Sequence, residues 1–178
     1  MVEIETERLL LRMFRGDDLD NLAGMFNDPE VMRFVENGGL KSRDEAERAI
    51  NSILKHWERH RFGRWAAVDR GTQEFVGFGG LRSLSGTPEV VYHLATAHWG
   101  KGLATELAHA SLRFGFDEHC FDRIVAIAKP LNSGSIHVME KLGMHFEMQT
   151  SYYNFDVIQY GIKRPDFKSH GDPYKLYK

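Results

Sequence analysis

The chain has 178 residues, a formal net charge of −2, 42% hydrophobic and 27% charged residues, which fits a single domain spanning 1–178 around one core. That balance argues against the basic field of a nucleic-acid binder, and no apolar run approaches the roughly 18 residues of a membrane span. Cys120 is the only cysteine, so no intrachain disulfide can form, and residues 1–5 lack the charged-then-apolar layout of a signal peptide; together these point to the cytoplasm.

Leu9, Leu11 and Met13 alternate with Arg8, Leu10 and Arg12, which predicts a first strand. Asp17 or Asp18 is placed to cap a helix with apolar positions Leu19, Leu22, Ala23 and Phe26. Asn27-Asp28-Pro29 ends it, because a residue before proline is pushed out of helical angles. Gly38-Gly39 marks a loop. Ser42-Arg43-Asp44-Glu45 has capping-box spacing and opens a helix with Ala46, Ala49, Ile50, Ile53, Leu54 and Trp57 on one broad face. His56 and His60 share that helix four residues apart. Trp57 stands where a zinc-protease helix needs glutamate, so the pair reads as solvated histidines near a helix end.

Residues 64–68 and 74–79 read as an antiparallel hairpin around Asp69-Arg70-Gly71-Thr72. Gly77, Gly79 and Gly80 point to a bulge or a close backbone approach. Pro88 precedes a strand at 89–94. From residue 103, Leu103, Leu107, Ala110 and Phe114 form a helical stripe, with Glu106, His109 and Arg113 opposite. Arg123 to Ala128 is a nearly continuous apolar run that suits a strand buried on both faces, ended by Pro130. A helix from about Ser133 closes at Gly143. Residues 145–155 and 157–162 read as two last strands, and 163–178 as a tail without periodicity, partly mobile.

Chemistry concentrates where the strand at 89–94 meets the helix at 103, across His98-Trp99-Gly100-Lys101-Gly102. Glycines allow a tight turn and close approach of backbone to a ligand. The free N–H groups of the first helical turn, helped by the helix dipole, then favour an anion of diphosphate size. The phosphate loop of nucleotide hydrolases is excluded, because Gly102 follows Gly100-Lys101 where Ser or Thr is required. The dinucleotide fingerprint is excluded because no glycine stands at position 105.

Trp99-Gly100-Lys101-Gly102-Leu103-Ala104, taken with Asn132-Ser133-Gly134-Ser135 and Glu140-Lys141-Leu142-Gly143-Met144, resembles the Gcn5-related N-acetyltransferase (GNAT) superfamily. Trp99 departs from the Gln or Arg that opens the family's acyl-CoA loop. Thr6-Glu7-Arg8-Leu9-Leu10-Leu11-Arg12 and Phe26-Asn27-Asp28-Pro29-Glu30-Val31-Met32 are similar to the opening of its ribosomal-protein N-terminal acetyltransferase branch. The likeness runs from about residue 5 to about 165.

The resemblance implies an α/β (α+β) fold: a mixed, mostly antiparallel central sheet flanked by helices, with acyl-CoA in a cleft between splayed strands. It implies acetyl-CoA as co-substrate and direct attack by a primary amine, with no covalent enzyme intermediate. Backbone groups of Tyr92, His93 and Leu94 would pair with the pantetheine arm. N–H groups of Gly100, Lys101, Gly102, Leu103, Ala104 and Thr105 would hold the diphosphate, and Asn132 would contact the cofactor near the thioester. Ser135 matches the position that protonates the departing thiolate; capping of its helix is the other reading, and the preferred one for Ser133. Glu89 is the candidate base, or an exposed strand end. His93 has a suitable ordinary pKa but fits a buried structural role equally well, and His98 is read as a loop residue. The expected acceptor is a protein or peptide N-terminus, flanked by segment 27–45 and by Phe34, Tyr152, Tyr153 and Phe155. A small amine (antibiotic, polyamine or amino acid) and a non-catalytic acyl-CoA sensor are the alternatives. A monomer or homodimer is expected, with no metal and no direct nucleic-acid or membrane partner.

Overall fold

Alternating apolar residues build a meander before the first crossover helix is needed. In the computed structural model, which describes residues 2–152, 154–169, 171 and 173–178, the first half runs β1 (Glu3–Glu5), β2 (Leu9–Arg12), α1 (Asp18–Phe26), α2 (Pro29–Met32), α3 (Arg43–His60), β3 (Arg64–Asp69), β4 (Phe75–Leu84) and β5 (Thr87–Leu94). The second half runs α4 (Leu103–Asp117), β6 (Arg123–Ala128), α5 (Ser133–Lys141), β7 (His145–Tyr152), β8 (Phe155–Lys163) and β9 (Lys175–Tyr177). The nine strands of the described residues join one sheet in the order β7-β8-β6-β5-β4-β3-β2-β1-β9. Every neighbouring pair is antiparallel except β5 and β6. Those two are joined by the crossover helix α4, as parallel strands require.

The α4 stripe behaves as its spacing dictates: Leu103, Leu107, Ala110 and Phe114 are all buried. The helix lies on β4 and β5 so closely that a Cβ at Gly79 would sit 2.4 Å from Leu107 Cδ2 and 2.6 Å from the Val91 carbonyl. The glycine run therefore serves the predicted close approach, and the register slips beside it between Ala67 and Val68, a bulge. On the other face, Phe78 meets Phe14 and Phe26 edge to face at 6.2 Å each, which seats α1 against the sheet. The capping box of α3 forms in full: Ser42 Oγ accepts from the Glu45 N–H, and the Glu45 carboxylate accepts from the Ser42 N–H.

Several boundaries move. β4 extends to Leu84 and β5 takes in Pro88, because a two-residue turn at Ser85-Gly86, both at positive φ, joins them directly. Neither aspartate caps α1 with its side chain. Asp17 sits at the cap without bonding, while Asp18 is buried in a two-point ion pair with Arg12 at 2.7 and 2.8 Å. Asn27-Asp28-Pro29 does end α1, then starts the extra turn α2, with Asp28 as cap and Pro29 in the first helical position. The tail differs most. Residues 175–177 form β9, which pairs with β1 from Glu3↔Tyr177 to Glu5↔Lys175. The His56 and His60 rings lie 4.4 Å apart, tilted by 34°, and His56 Nδ1 lies 2.8 Å from the Phe62 carbonyl. They pack together at the end of α3 rather than standing free in solvent.

Candidate active site

β5 and β6 pair at a single position, Glu89↔Val125. Beyond it the strands no longer pair, and among the described residues no strand pairs with the β6-side edge of Val90–Leu94. The other edge of the same residues is fully paired with β4, from Gly77↔Leu94 to Leu81↔Val90. The result is a wedge-shaped cleft with one backbone edge open to an extended ligand.

Two features close the ends of that cleft. At one end, a 3-10 turn at Thr96–His98 leads into the glycine loop. Trp99 takes the place of the family's polar residue and ties the loop down, donating from Nε1 to the Leu94 carbonyl at 2.8 Å. Gly100 and Gly102 have φ of +72° and +78°, angles that cost side-chain-bearing residues about 1–2 kcal/mol. Among the described residues, no intramolecular acceptor meets the N–H groups of Gly100 through Thr105; the first helical N–H with a partner is Glu106, bonded to the Gly102 carbonyl. Arg8 braces this loop from β2's leading edge: Nη1 donates to the Lys101 carbonyl at 2.7 Å and Nε to Glu106 at 2.7 Å. Thr6 Oγ1 donates to the same carboxylate at 2.6 Å. A cavity of about 340 Å³ opens beside the loop, lined among others by Arg8, Gly102, Thr105, His109 and Lys141.

At the other side of the cleft stands α5. Asn132, not Ser133, is its cap, and its side chain accepts from the Ser135 N–H at 3.1 Å. Ser135 Oγ is therefore left for other work, and it shares a 2.9 Å hydrogen bond with Tyr92 Oη. Tyr92 Oη also lies 3.0 Å from the Ser135 carbonyl. One phenolic proton cannot serve both acceptors, so when Tyr92 donates to the carbonyl, Ser135 donates to Tyr92. Burial pushes the Tyr92 phenol up to about 12, so it stays protonated at physiological pH. This pair bridges from β5 to the first turn of α5.

On the opposite face of β5 lie Glu89, Val91 and His93. Glu89 is 1% exposed, not a free strand end. Both its oxygens accept from Arg82, at 2.5 Å from Nε and 3.2 Å from Nη2. Burial raises its pKa and the Arg82 bonds pull the other way. His93 stacks on Phe78 at 4.8 Å. Its Nδ1 is buried without a partner among the described residues, and burial drops its pKa to about 3. A ring held neutral in that way is a poor proton carrier at neutral pH. His98 lies in the 3-10 turn, apart from that pair.

The expected acceptor flank is assembled in part. Asp28 Oδ2 accepts from the Thr96 hydroxyl at 3.1 Å, which ties segment 27–45 to the residues following β5. Phe34 lies under Arg33, Phe155 under Lys129, and Tyr152 donates to Gln159. Tyr153 falls outside the described residues. Arg8, Trp99 and Tyr92's hydroxyl are the parts that sequence reasoning missed; each acts through a partner distant in the chain or through an atom no motif specifies.

Residues 8–145 match the model of the acetyltransferase (GNAT) domain. The chain belongs to the GNAT acetyltransferase family. This acetyltransferase is 33% identical to the uncharacterized protein YkkB of Bacillus subtilis (strain 168) over 90% of the chain and 95% of that protein. It is 28% identical to the uncharacterized N-acetyltransferase YoaA of the same strain, over 91% and 97%. A GNAT-family acetyltransferase from Bacillus anthracis superposes with a TM-score of 0.81 at 27% identity, over 92% of this chain and 99% of the other. The enzyme is an N-acetyltransferase that uses acetyl-CoA. The residues present suit that co-substrate: a row of unsatisfied N–H groups for a diphosphate, an open strand edge for an amide-bearing arm, and a cationic cavity beside the loop.

Proposed function

We propose that the enzyme acetylates a primary amine, the N-terminus of a protein or peptide, by direct attack at the mouth of the β5–β6 cleft. Acetyl-CoA brings an already activated acyl group. The chain's own residues then have three tasks. The N–H groups of Gly100 to Thr105 hold the diphosphate, and the free edge of Tyr92, His93 and Leu94 aligns the pantetheine arm. Glu89 draws the proton from the attacking amine, its raised pKa suiting it to that task. As the new N–C bond forms and the C–S bond breaks, the Ser135 hydroxyl gives a proton to the sulfur and regains one from solvent through Tyr92. Asn132 holds the turn that aims Ser135. The peptide acceptor is supported by the flank that segment 27–45 builds through Asp28 and Thr96, and by the branch-like opening motifs. Cytoplasmic residence of a single folded unit fits the same reading.

The observation that carries the mechanism is the Tyr92–Ser135 bond across the cleft, 2.9 Å long. Ser135→Ala removes a group whose contribution grows as the thiolate departs, so kcat falls about 10- to 100-fold while the acetyl-CoA Kd stays within about twofold. Tyr92→Phe, which keeps the ring, gives a smaller fall of the same kind. Thiol release under saturating acceptor, with calorimetric titration of acetyl-CoA, reads both. Unchanged kcat in both variants overturns the assignment of the acid.

A further inference from the structure

We infer that the acceptor carries a carboxylate close to its amine, and that Arg64 on β3 is the cation that receives it; this deepens the acetyl-transfer reading and rests on it. Arg64, Gly80 and Val91 lie directly opposite one another across β3, β4 and β5, and directly opposed residues share a sheet face. Arg82 and Glu89 are the next pair on that face in one direction, Phe78 and His93 in the other. With strands spaced roughly 4.8 Å apart, Arg64 stands about 10 Å from β5, a gap that an arginine side chain can largely span. Gly80, which lies between, has no side chain to block it.

The charge on this face is not balanced. Each Glu89 oxygen accepts one bond from Arg82 and keeps a lone pair for the acceptor amine, while Arg64 has no hydrogen-bonded or ion-paired carboxylate among the described residues. Burial, then the nearby Arg82, lowers the Arg64 pKa to about 10, so it remains a cation at neutral pH. The charge of Glu89 also reaches Arg64, but that carboxylate bonds Arg82, and a mostly buried cation that shares its counter-ion in this way is under-compensated. His93 Nδ1, on the same face, is also buried without a partner. Among the described residues, the face thus holds the Arg64 and Arg82 guanidiniums, the Glu89 carboxylate and a ring nitrogen without a partner, directly behind the β5 edge that the co-substrate would occupy. A carboxylate on the acceptor meets the Arg64 cation with two-point guanidinium geometry, while Glu89 draws the proton of the neighbouring amine. A polyamine or an aminoglycoside would add positive charge to an already cationic face. Two sources share the required chemistry: a free α-amino acid, and a peptide whose first residue is Asp or Glu.

The test uses the full chain and acetyl-CoA, with thiol release as readout. The acceptors are α-amino acids, their carboxamides, peptides starting with Glu or Lys, and spermidine. Carboxylate-bearing amines are expected to exceed their neutral counterparts at least tenfold in kcat/KM, the worth of one charge-assisted bond. Amino acids ahead of Glu-peptides identifies a free metabolite, the reverse a protein N-terminus. In Arg64→Met the preference collapses to within about twofold with the acetyl-CoA Kd unchanged, and Arg64→Lys restores part of it through KM. Circular dichroism melting checks that both variants are folded. Carboxamides or spermidine turned over as well as carboxylates, or a preference that survives Arg64→Met, overturns the inference and leaves acetyl transfer standing. Transfer to no amine overturns the acetyl-transfer reading instead. Calorimetric binding of N-acetylglutamate against its diamide, with CoA present and in both variants, then decides the carboxylate site independently: equal binding of the two rejects it.

Discussion

His93 shows how one buried ring can set a pH response without taking part in the chemistry. Its ordinary pKa of 6.5 falls to about 3 in the folded chain, through burial first and then the neighbouring Arg82, Arg64 and Lys41. The unfolded chain therefore binds a proton between those two values that the folded chain refuses. Stability is complete above about pH 6.5 and is lost as pH falls below it, with a slope of up to about 1.4 kcal/mol per pH unit. His56 and His119 are shifted in the same direction, so the parent enzyme carries their slopes too. In His93→Gln the acid slope is shallower by about one proton, read as urea midpoints between pH 6.5 and 4.5. An unchanged slope would mean that His93 is already protonated in the folded chain. The sequence marked His93 as either a base or a buried residue; burial decides, and burial is a property of packing that residue type alone does not specify. Glu89 is the converse. Its position on β5 was legible from alternation, but its pairing with Arg82 depends on the antiparallel register of β4, which the Ser85-Gly86 turn sets.

At the scale of elements, the glycine loop, α4's stripe and the capping box of α3 were all legible, because each is written in consecutive residues. What holds the loop was not. Arg8 comes from more than 90 positions away, and it links the Lys101 carbonyl to Glu106 in the first turn of α4. That bridge predicts an order of effects on acetyl-CoA affinity. Gly102→Val should weaken binding most, because Gly102 has φ of +78°, where a β-branched residue is strained, and because its side chain would meet the approaching diphosphate. Arg8→Met should weaken binding by about 3- to 10-fold by freeing the loop. Lys101→Ala should change it by less than about threefold, since the backbone carries the contact. Calorimetric titration of the three variants checks the order; a Lys101→Ala loss larger than that of Gly102→Val would transfer the site from the backbone to a side chain. The short elements α2, β1 and β9 escaped sequence reading for a simple reason. Three or four residues are too few to show a period, and their formation depends on partners elsewhere in the chain.

For the whole molecule, the sheet is closed at one edge by residues that looked like a tail. β9 covers the open side of β1, Tyr174 lies 4.3 Å beneath the Arg113 guanidinium of α4, and Lys178 pairs with Glu118 just beyond that helix. The last residues therefore connect the far edge of the sheet to the helix whose N-terminus forms the glycine loop. Leu176 is partly covered, so removing β9 forfeits about 1–2 kcal/mol of apolar burial. Deleting residues 175–178, which keeps Pro173 and Tyr174 in the lining of the cavity beside the glycine loop, is then expected to lower Tm by roughly 2–8 °C. The deletion also bares the β1 edge, which favours edge-to-edge association. Because α4 is held from its other end by β4 and β5 through Leu107 and Gly79, the loop geometry should survive, and saturating acetyl-CoA should raise the Tm of the deleted chain as much as that of the parent. Thermal melts of both chains, with and without acetyl-CoA, separate the two contributions. Equal Tm values would show that β9 adds no stability to the sheet, whereas loss of the acetyl-CoA-induced shift would show that the tail positions the binding end of α4 as well as its far end.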